Sequence, residues 1–449
     1  MVKKILPIAL GFSLAIMPQI SVAQVVELVE AAQTAQSNSD YEKAETTWQQ
    51  VIKLQPKDAF AYARLGDTFF SQSRNDEGIA AYEQALKLQK SPKIYRDYGE
   101  KLRDSEKLDA SVIAYKEAIK LEPKNDDAHY GLGLTYSQQE KYPEAIAAIR
   151  QAISIKPIYS YYQALGATFV AAEKFDEGIA AFRQAIALQP EYSWLYNSVA
   201  ETLIKQGKTK DAIATYRQAI KLDPTSYTSY TGLAEILDYP QAVATLTQYA
   251  KEDPKNDIPL HVLGYVFTQK EDFVSAFKVF QQAIAIKPSA ENYVLLGNNF
   301  VSQKNLEAAA NAYRQAIKLE PEDYRYQALA EVLIQQNKLN EAMAMCQKTI
   351  EIKTEYEFYK TYDTCATVGF ANYQKQGMSS VIAMYTQLAK KIHPKNMSDL
   401  YVSFGSLIIS SEKPNKADAK LAFKEALKLN PRNQQALAQM KELEKTNKY

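Results

Sequence analysis

Cysteine is nearly absent from this chain: Cys346 and Cys365 are the only two among 449 residues. Two cysteines allow one intramolecular pairing at most, so no disulfide framework can stand in for a hydrophobic core. Histidine is as scarce. His129, His261 and His393 lie far apart, and none has a Cys, Asp or Glu at metal-ligand spacing, so no metal is predicted. An excess of one charge is missing too, with 53 Lys+Arg against 52 Asp+Glu. Such a balance leaves no basic footprint for nucleic acid. Glycine-rich loops are lacking: Gly131-Leu132-Gly133 sits inside a helical pattern, without a preceding strand or a third glycine. No Ser, Cys or Lys nucleophile motif occurs, so the chain reads as non-catalytic, with no cofactor.

Long hydrophobic runs are missing beyond the first residues. Lys3 and Lys4 precede a short apolar stretch, Ile5 to Met17; Pro18 breaks it, and Ser21-Val22-Ala23 offers small residues before Gln24. This pattern predicts a secretory signal peptide over residues 1–23 and an exported, periplasmic or secreted, mature chain. Pro7 and Pro18 shorten the run below a comfortable membrane span, and no cysteine follows for a lipid anchor. If the segment is retained, the alternatives are a membrane-anchored or a cytoplasmic adaptor.

What the sequence holds in quantity is a repeat. A first helix carries a large residue, Leu, a small residue and another large residue; Tyr62, Leu65, Gly66 and Phe69 show it. A second helix carries a small residue, an aromatic four on and Ala three further, as in Gly78, Tyr82 and Ala85. The first-helix small position reads Ala32, Gly66, Gly99, Gly133, Gly166, Ala200, Ala234, Gly264, Gly297, Ala330, then Phe370, then Gly405. The large second-helix position runs from Trp48 through Tyr82, Tyr115, Ile149, Phe182 and Tyr216 to Cys346, Tyr385 and Phe423. Prolines such as Pro123, Pro157, Pro190 and Pro224 close units at intervals of mostly 33 or 34 residues. The i, i+3, i+4, i+7 spacing makes each helix amphipathic, small residues let two backbones approach, and proline ends the second helix. One hairpin cannot bury its apolar face alone, so neighbours must stack.

On these residues the chain resembles the tetratricopeptide repeat family over roughly residues 25–431. The resemblance implies an all-α, right-handed α-solenoid of about twelve stacked hairpins, with first helices lining a concave groove. It divides the chain into a regular array over 24–353 of about ten units, two irregular units over 354–431, and a capping helix over 432–449. One regular unit is short, its first-to-second helix offset from Ala234 to Ala242 being eight residues instead of twelve; the loop at Asp238-Tyr239-Pro240 is the expected place of the loss. The first irregular unit opens on the aromatic run Tyr356, Phe358, Tyr359 and Tyr362, and the second carries a two-residue insertion at Glu412-Lys413-Pro414-Asn415.

In the family, ligand contacts come from first-helix residues not used for packing. Projected here, they are Tyr130, Leu134, Trp194, Asn197, Ile204, His261, Tyr265, Asn298 and Tyr324. A carboxylate clamp of the kind some members use is disfavoured: beside Lys93 and Arg96 stands Glu100, which repels an anion. The expected groove is apolar and aromatic, suited to an extended or helical segment of a protein partner. A glycan or envelope polymer stacked on Tyr and Trp faces is the alternative ligand. The resemblance also places Cys346 and Cys365 on helices that pack together, which leaves two readings open: a disulfide, or two independent buried thiols.

Overall fold

The structure, a computed structural model, describes residues 22–352, 358–390 and 392–445. Most of the expected signal segment, and the side chains of the aromatic run from Tyr356 to Tyr362, lie outside the described residues. Every regular element among the described residues is an α-helix.

The chain forms two compact units that meet between Thr215 and Tyr216. The first holds α1 (Val22–Ser37), α2 (Tyr41–Leu54), α3 (Ala59–Ser71), α4 (Asn75–Leu88), α5 (Pro92–Asp104) and α6 (Leu108–Leu121). It continues with α7 (Asp126–Gln138), α8 (Tyr142–Ile155), α9 (Tyr159–Ala171), α10 (Phe175–Leu188) and α11 (Ser193–Lys205). The boundary falls within α12 (Thr209–Leu222). The second unit holds α13 (Tyr227–Ile236), α14 (Tyr239–Glu252), α15 (Ile258–Gln269), α16 (Phe273–Ile286), α17 (Ala290–Ser302) and α18 (Leu306–Leu319). It ends with α19 (Asp323–Gln335), α20 (Leu339–Ile352), α21 (Phe358–Gln376), α22 (Met378–Leu388), α23 (Pro394–Ser410), α24 (Lys416–Leu429) and α25 (Gln434–Lys445). Within each unit odd and even helices pair as hairpins, and an even helix packs on the odd helix that follows it, except at α22, where α23 packs mainly on α21. This is the stacking the repeat predicts, and the fold is an α-solenoid.

Local chemistry explains the boundaries. Asp58, Asn125, Ser289 and Asn305 cap helices by accepting hydrogen bonds from the first exposed N–H groups. Between the helices of most hairpins the chain turns through one residue with φ near +60°, for example Glu140 (φ 59) and Glu173 (φ 58). The turn is closed by a bond from the next N–H back to the preceding helix, such as Lys141 N to Tyr136 O (2.9 Å) and Lys174 N to Phe169 O (2.8 Å). Adjacent hairpins are stitched at this edge by side chains: Gln139 Nε2 donates to Asp109 (2.8 Å), Gln206 Nε2 to Asp176 (2.9 Å) and Gln336 Nε2 to Glu307 (3.3 Å).

The core is a row of small-against-large contacts. A Cβ on Gly66 would lie 2.6 Å from the Tyr82 ring, and one on Gly166 2.7 Å from the Phe182 ring. Both pairs are sixteen residues apart. The same interval corrects the first irregular unit: its small residue is Gly369, set against Tyr385, and not Phe370. Phe370 is half-buried beside Tyr373, with ring centroids 6.1 Å apart. The misreading has a physical source. α21 runs for 19 residues where regular first helices have 13, so the heptad-like pattern alone does not fix its phase.

The other irregularities are local. In the short unit most of the missing turn comes from α13, only 10 residues long where regular first helices have 13, and the loop gives up one more residue. Asp238 caps α14, accepting from Gln241 N at 2.8 Å, while Tyr239 and Pro240 lie in its first turn. In the second irregular unit Gly405 and Phe423 are eighteen residues apart and still in contact, so the two extra residues are absorbed before α24, which Asn415 caps. Cys346 and Cys365 are free, fully buried thiols in contact with each other; burial and the neighbouring Cys346 push the Cys365 thiol well up. The structure contains the pair without the bridge.

Candidate protein-interaction surface

Successive first helices touch one another in both units: α3 with α5, α5 with α7 and α7 with α9, then α13 with α15, α15 with α17 and α19 with α21. Their side chains therefore make a surface that no second helix covers.

In the first unit this surface begins as a charged ladder, not an apolar groove. Arg64 reaches Asp67 on its own helix at 2.8 Å and Asp97 on α5 at 2.7 Å. Arg96 takes the other side of Asp97 at 2.8 Å and crosses to Asp127 on α7 at 3.2 Å. The Tyr161 hydroxyl on α9 then donates to Asp126 (2.9 Å) and Asp127 (3.0 Å). Burial raises the Asp67 carboxyl against the pull of Arg64, and the buried Tyr82 hydroxyl donates to it. Arg96 is thus satisfied inside the protein and offers little to a ligand carboxylate, which agrees with the sequence argument against a clamp.

Aromatic side chains replace the ladder further on. Tyr130 and Leu134 are half-buried, and the Tyr130 ring lies 4.6 Å from that of Tyr161. Trp194 is 41% exposed. It meets Tyr192 (centroids 6.0 Å, stacked) and Tyr159 (6.3 Å, edge-on). Ile204, 36% exposed, extends the apolar stripe along α11. Asn197 is a correction: only 4% exposed, it faces the neighbouring helices and not the open surface. It lies three residues from both Trp194 and Ala200, on the flank where the small residue draws helices together.

In the second unit Tyr227, Tyr265 and Tyr324 are each 40–42% exposed. Tyr265 stands near Tyr227, and the Tyr324 hydroxyl donates to Glu291 at 3.2 Å. The buried Arg325 guanidinium covers the Tyr324 ring at 4.9 Å and is itself held by Glu320 (3.0 Å) and Glu322 (3.4 Å). Asn298 is exposed and accepts from Tyr313 Oη at 2.6 Å. His261 is the second correction. It is 4% exposed, with Nε2 3.3 Å from Asp257 Oδ2. Asn292 is wholly buried and ties the same Asp257 (3.0 Å) to the Lys287 carbonyl (2.6 Å). Burial pushes the His261 imidazole below its ordinary value despite Asp257, so it is a neutral joint between hairpins.

Sequence projection therefore located Trp194, Ile204, Tyr265, Asn298 and Tyr324 on the exposed surface, with Tyr130 and Leu134 at its margin. It missed Tyr159, Tyr192 and Tyr227, which sit at helix N-termini where a helical-face projection has no preceding turn to count from.

Comparison with known proteins agrees with this architecture. Family profiles described as TPR repeat or tetratricopeptide repeat match residues 99–140, 29–93, 164–227, 199–257, 126–159 and 300–357. A cell division cycle protein 27 homolog from Caenorhabditis elegans is 29% identical over 98 residues, which are 22% of this chain and 12% of that protein's length. Among solved structures, yeast Tom70 is 16% identical, with 88% of this chain and 96% of that one covered and a TM-score of 0.35. The type IV pilus biogenesis factor PilW is 18% identical, covering 48% and 100%, with a TM-score of 0.41. MamA from Desulfovibrio magneticus RS-1 is 18% identical, covering 38% and 97%, with a TM-score of 0.35. These profiles match stretches of both units, and together they cover more than half of the chain, which carries tetratricopeptide repeats.

Proposed function

We propose that this protein is a non-catalytic scaffold that holds a segment of a partner protein against the exposed aromatic side chains of its first helices. One observation carries the reading. On the first helices of the two units, Trp194, Tyr265 and Tyr324 stay 40–41% exposed, with Trp194 held by the Tyr192 ring and Tyr324 by the Arg325 guanidinium. Preoriented aromatics lose little freedom on binding and supply much of the energy of protein interfaces. Each unit presents its own surface: in the first it is charged on α3 to α7 and aromatic on α9 and α11, and in the second it is tyrosine-lined on α13 to α19. A partner that fits it carries apolar side chains opposite the rings.

The pattern of residues 1–23 supports export, and the proposed setting is a periplasmic or secreted complex. The mass of the mature N-terminus checks this: a chain beginning at Gln24 agrees, and an intact Met1 does not.

The function is tested by recovering partners on tagged wild type and on Trp194→Ala plus Tyr265→Ala, with helicity followed by circular dichroism. The proposal expects intact helicity and loss of partners. Unchanged recovery removes these residues from the binding surface. Retention of purified protein on protein-free envelope polymer, lost in the same variant, would instead make the rings a sugar platform.

A further inference from the structure

At the joint between α20 and α22 the regular packing fails in one place. Three residues after the small first-helix position, other units set a large apolar side chain: Phe69, Leu102, Phe169, Leu203, Leu333 and Ile408, all buried. Counting from Gly369, the corresponding residue is Asn372. It is just 4% exposed, and it puts an amide where those units have an apolar side chain. The rest of the unit keeps its register, as Gly369 against Tyr385 shows, so the substitution is confined to this position.

Asn372 lines a cleft. It has a volume of about 940 Å³ and runs between α20 and α22, with the end of α21, including Asn372, as its floor. Its lining is rich in amides: Asn340 and Gln347 from α20, Asn372 and Gln376 from α21, and Gln387 from α22. Its charge is positive. Lys375 donates to the neutral amide of Asn337 (3.2 Å) and Lys390 to that of Gln387 (2.9 Å). Lys338 pairs with Glu307 at 3.4 Å, outside the lining. The one lining carboxylate, Glu341, is taken by Arg314 at 3.3 Å.

We propose that this cleft binds a short, acidic peptide segment in extended conformation. The amides select the conformation. A helix satisfies its own main chain, whereas an extended strand presents an N–H and a C=O at every residue, and an Asn or Gln side chain can meet both. Asn372 places a donor and an acceptor on the floor of the cleft. The lysines select the charge, since carboxylates beside Lys375 and Lys390 gain charge-assisted bonds in place of neutral ones. The cleft lies within the second unit and does not use the exposed first-helix rings, so it stands whether or not those rings bind a partner.

The test uses the full-length protein and a display library of random peptides about a dozen residues long, with no assumption about the natural partner. Enriched peptides are synthesised with a fluorophore and titrated by anisotropy. The proposal expects them to carry an acidic excess and to bind more weakly as salt rises. It expects Asn372→Leu, which restores the apolar residue of other units, to weaken them about tenfold or more. Lys375→Glu plus Lys390→Glu, at exposed positions that leave the core intact, should do the same. Thermal unfolding guards the first variant, and Asn372→Leu should melt at or above wild type. No enrichment, enrichment without acidic bias, or affinity unchanged in both variants overturns the proposal.

Discussion

The turn residues give the most direct check on the physical reasoning. Among the described residues, eight that are not glycine sit at φ between 57° and 60°, including Glu106, Glu140, Glu173 and Glu271, while Gly207 and Gly377 are the glycines at positive φ. An L-residue in this region costs about 1–2 kcal/mol. Glycine escapes that cost but loses about 0.5–1 kcal/mol more chain entropy on folding. The net gain for Glu173→Gly is therefore about 0.5–1 kcal/mol. None of the four glutamate side chains makes a hydrogen bond or ion pair with a described residue, so the change removes no contact. The sites lie on different hairpins, and their effects should add to about 2–4 kcal/mol in the quadruple variant. Gly207→Ala is the reverse experiment. A Cβ there meets nothing within 4 Å, so its cost, about 1 kcal/mol, is purely that of the backbone at φ +73°. Glu173→Gln separates charge from backbone and should leave stability unchanged. Because a repeat array need not unfold in one step, urea transitions should be followed together with amide exchange at the affected turns. A destabilised Glu173→Gly, or a Gly207→Ala as stable as wild type, would refute the account of these turns.

Three further outcomes follow from the packing and charge described above. Gly369→Ala should lose about 1–3 kcal/mol to overpacking against the fully buried Tyr385, outweighing the roughly 1 kcal/mol that alanine adds to a helix; a urea midpoint equal to wild type would return the small position to another residue. Asp97→Asn should cost about 1–3 kcal/mol, because one carboxylate, 14% exposed, serves both Arg64 and Arg96. Asp127→Asn, whose carboxylate is 60% exposed, should cost under about 1 kcal/mol in the same denaturation assay. Finally, the folded His261 titrates below its unfolded value of 6.5, so as pH falls through 6.5 the unfolded chain takes up the proton first. Stability then declines at up to about 1.4 kcal/mol per pH unit until the folded pKa is passed. The groups around the ring are Asp257, Asn292 and Glu291, and His261→Gln should flatten that slope between pH 6.5 and the lower limit.

The hairpins themselves were legible in the sequence, because a small residue and a large one sixteen positions apart fix both the helix faces and the crossing. Phase was lost where a helix lengthened: α21 kept Gly369 against Tyr385, but extra turns upstream moved the count by one residue. The interaction surface was legible for large exposed side chains and illegible for polar ones. Asn197 and His261 occupy outward-looking positions on a single helix, yet a neighbouring hairpin buries them, and a helical projection contains no neighbours. The charged ladder escaped for a related reason. Arg64 and Asp97 are 33 residues apart, so their pairing belongs to the stacking and not to either hairpin. Asn372 passed unnoticed because an Asn in a helix excites no suspicion until the apolar residue it replaces has been counted in every other unit.

That position has a consequence for the history of the protein. Asparagine and isoleucine codons differ by a single base, and isoleucine is what the later unit already carries at Ile408. One base change therefore puts the apolar residue of other units on the floor of the cleft. In any lineage where the cleft has no use, drift and selection for stability push the same way, toward an apolar residue. Related chains can then be sorted by one letter: those with an amide at this position keep the polar floor that the proposed binding needs, and those with isoleucine, leucine or phenylalanine do not.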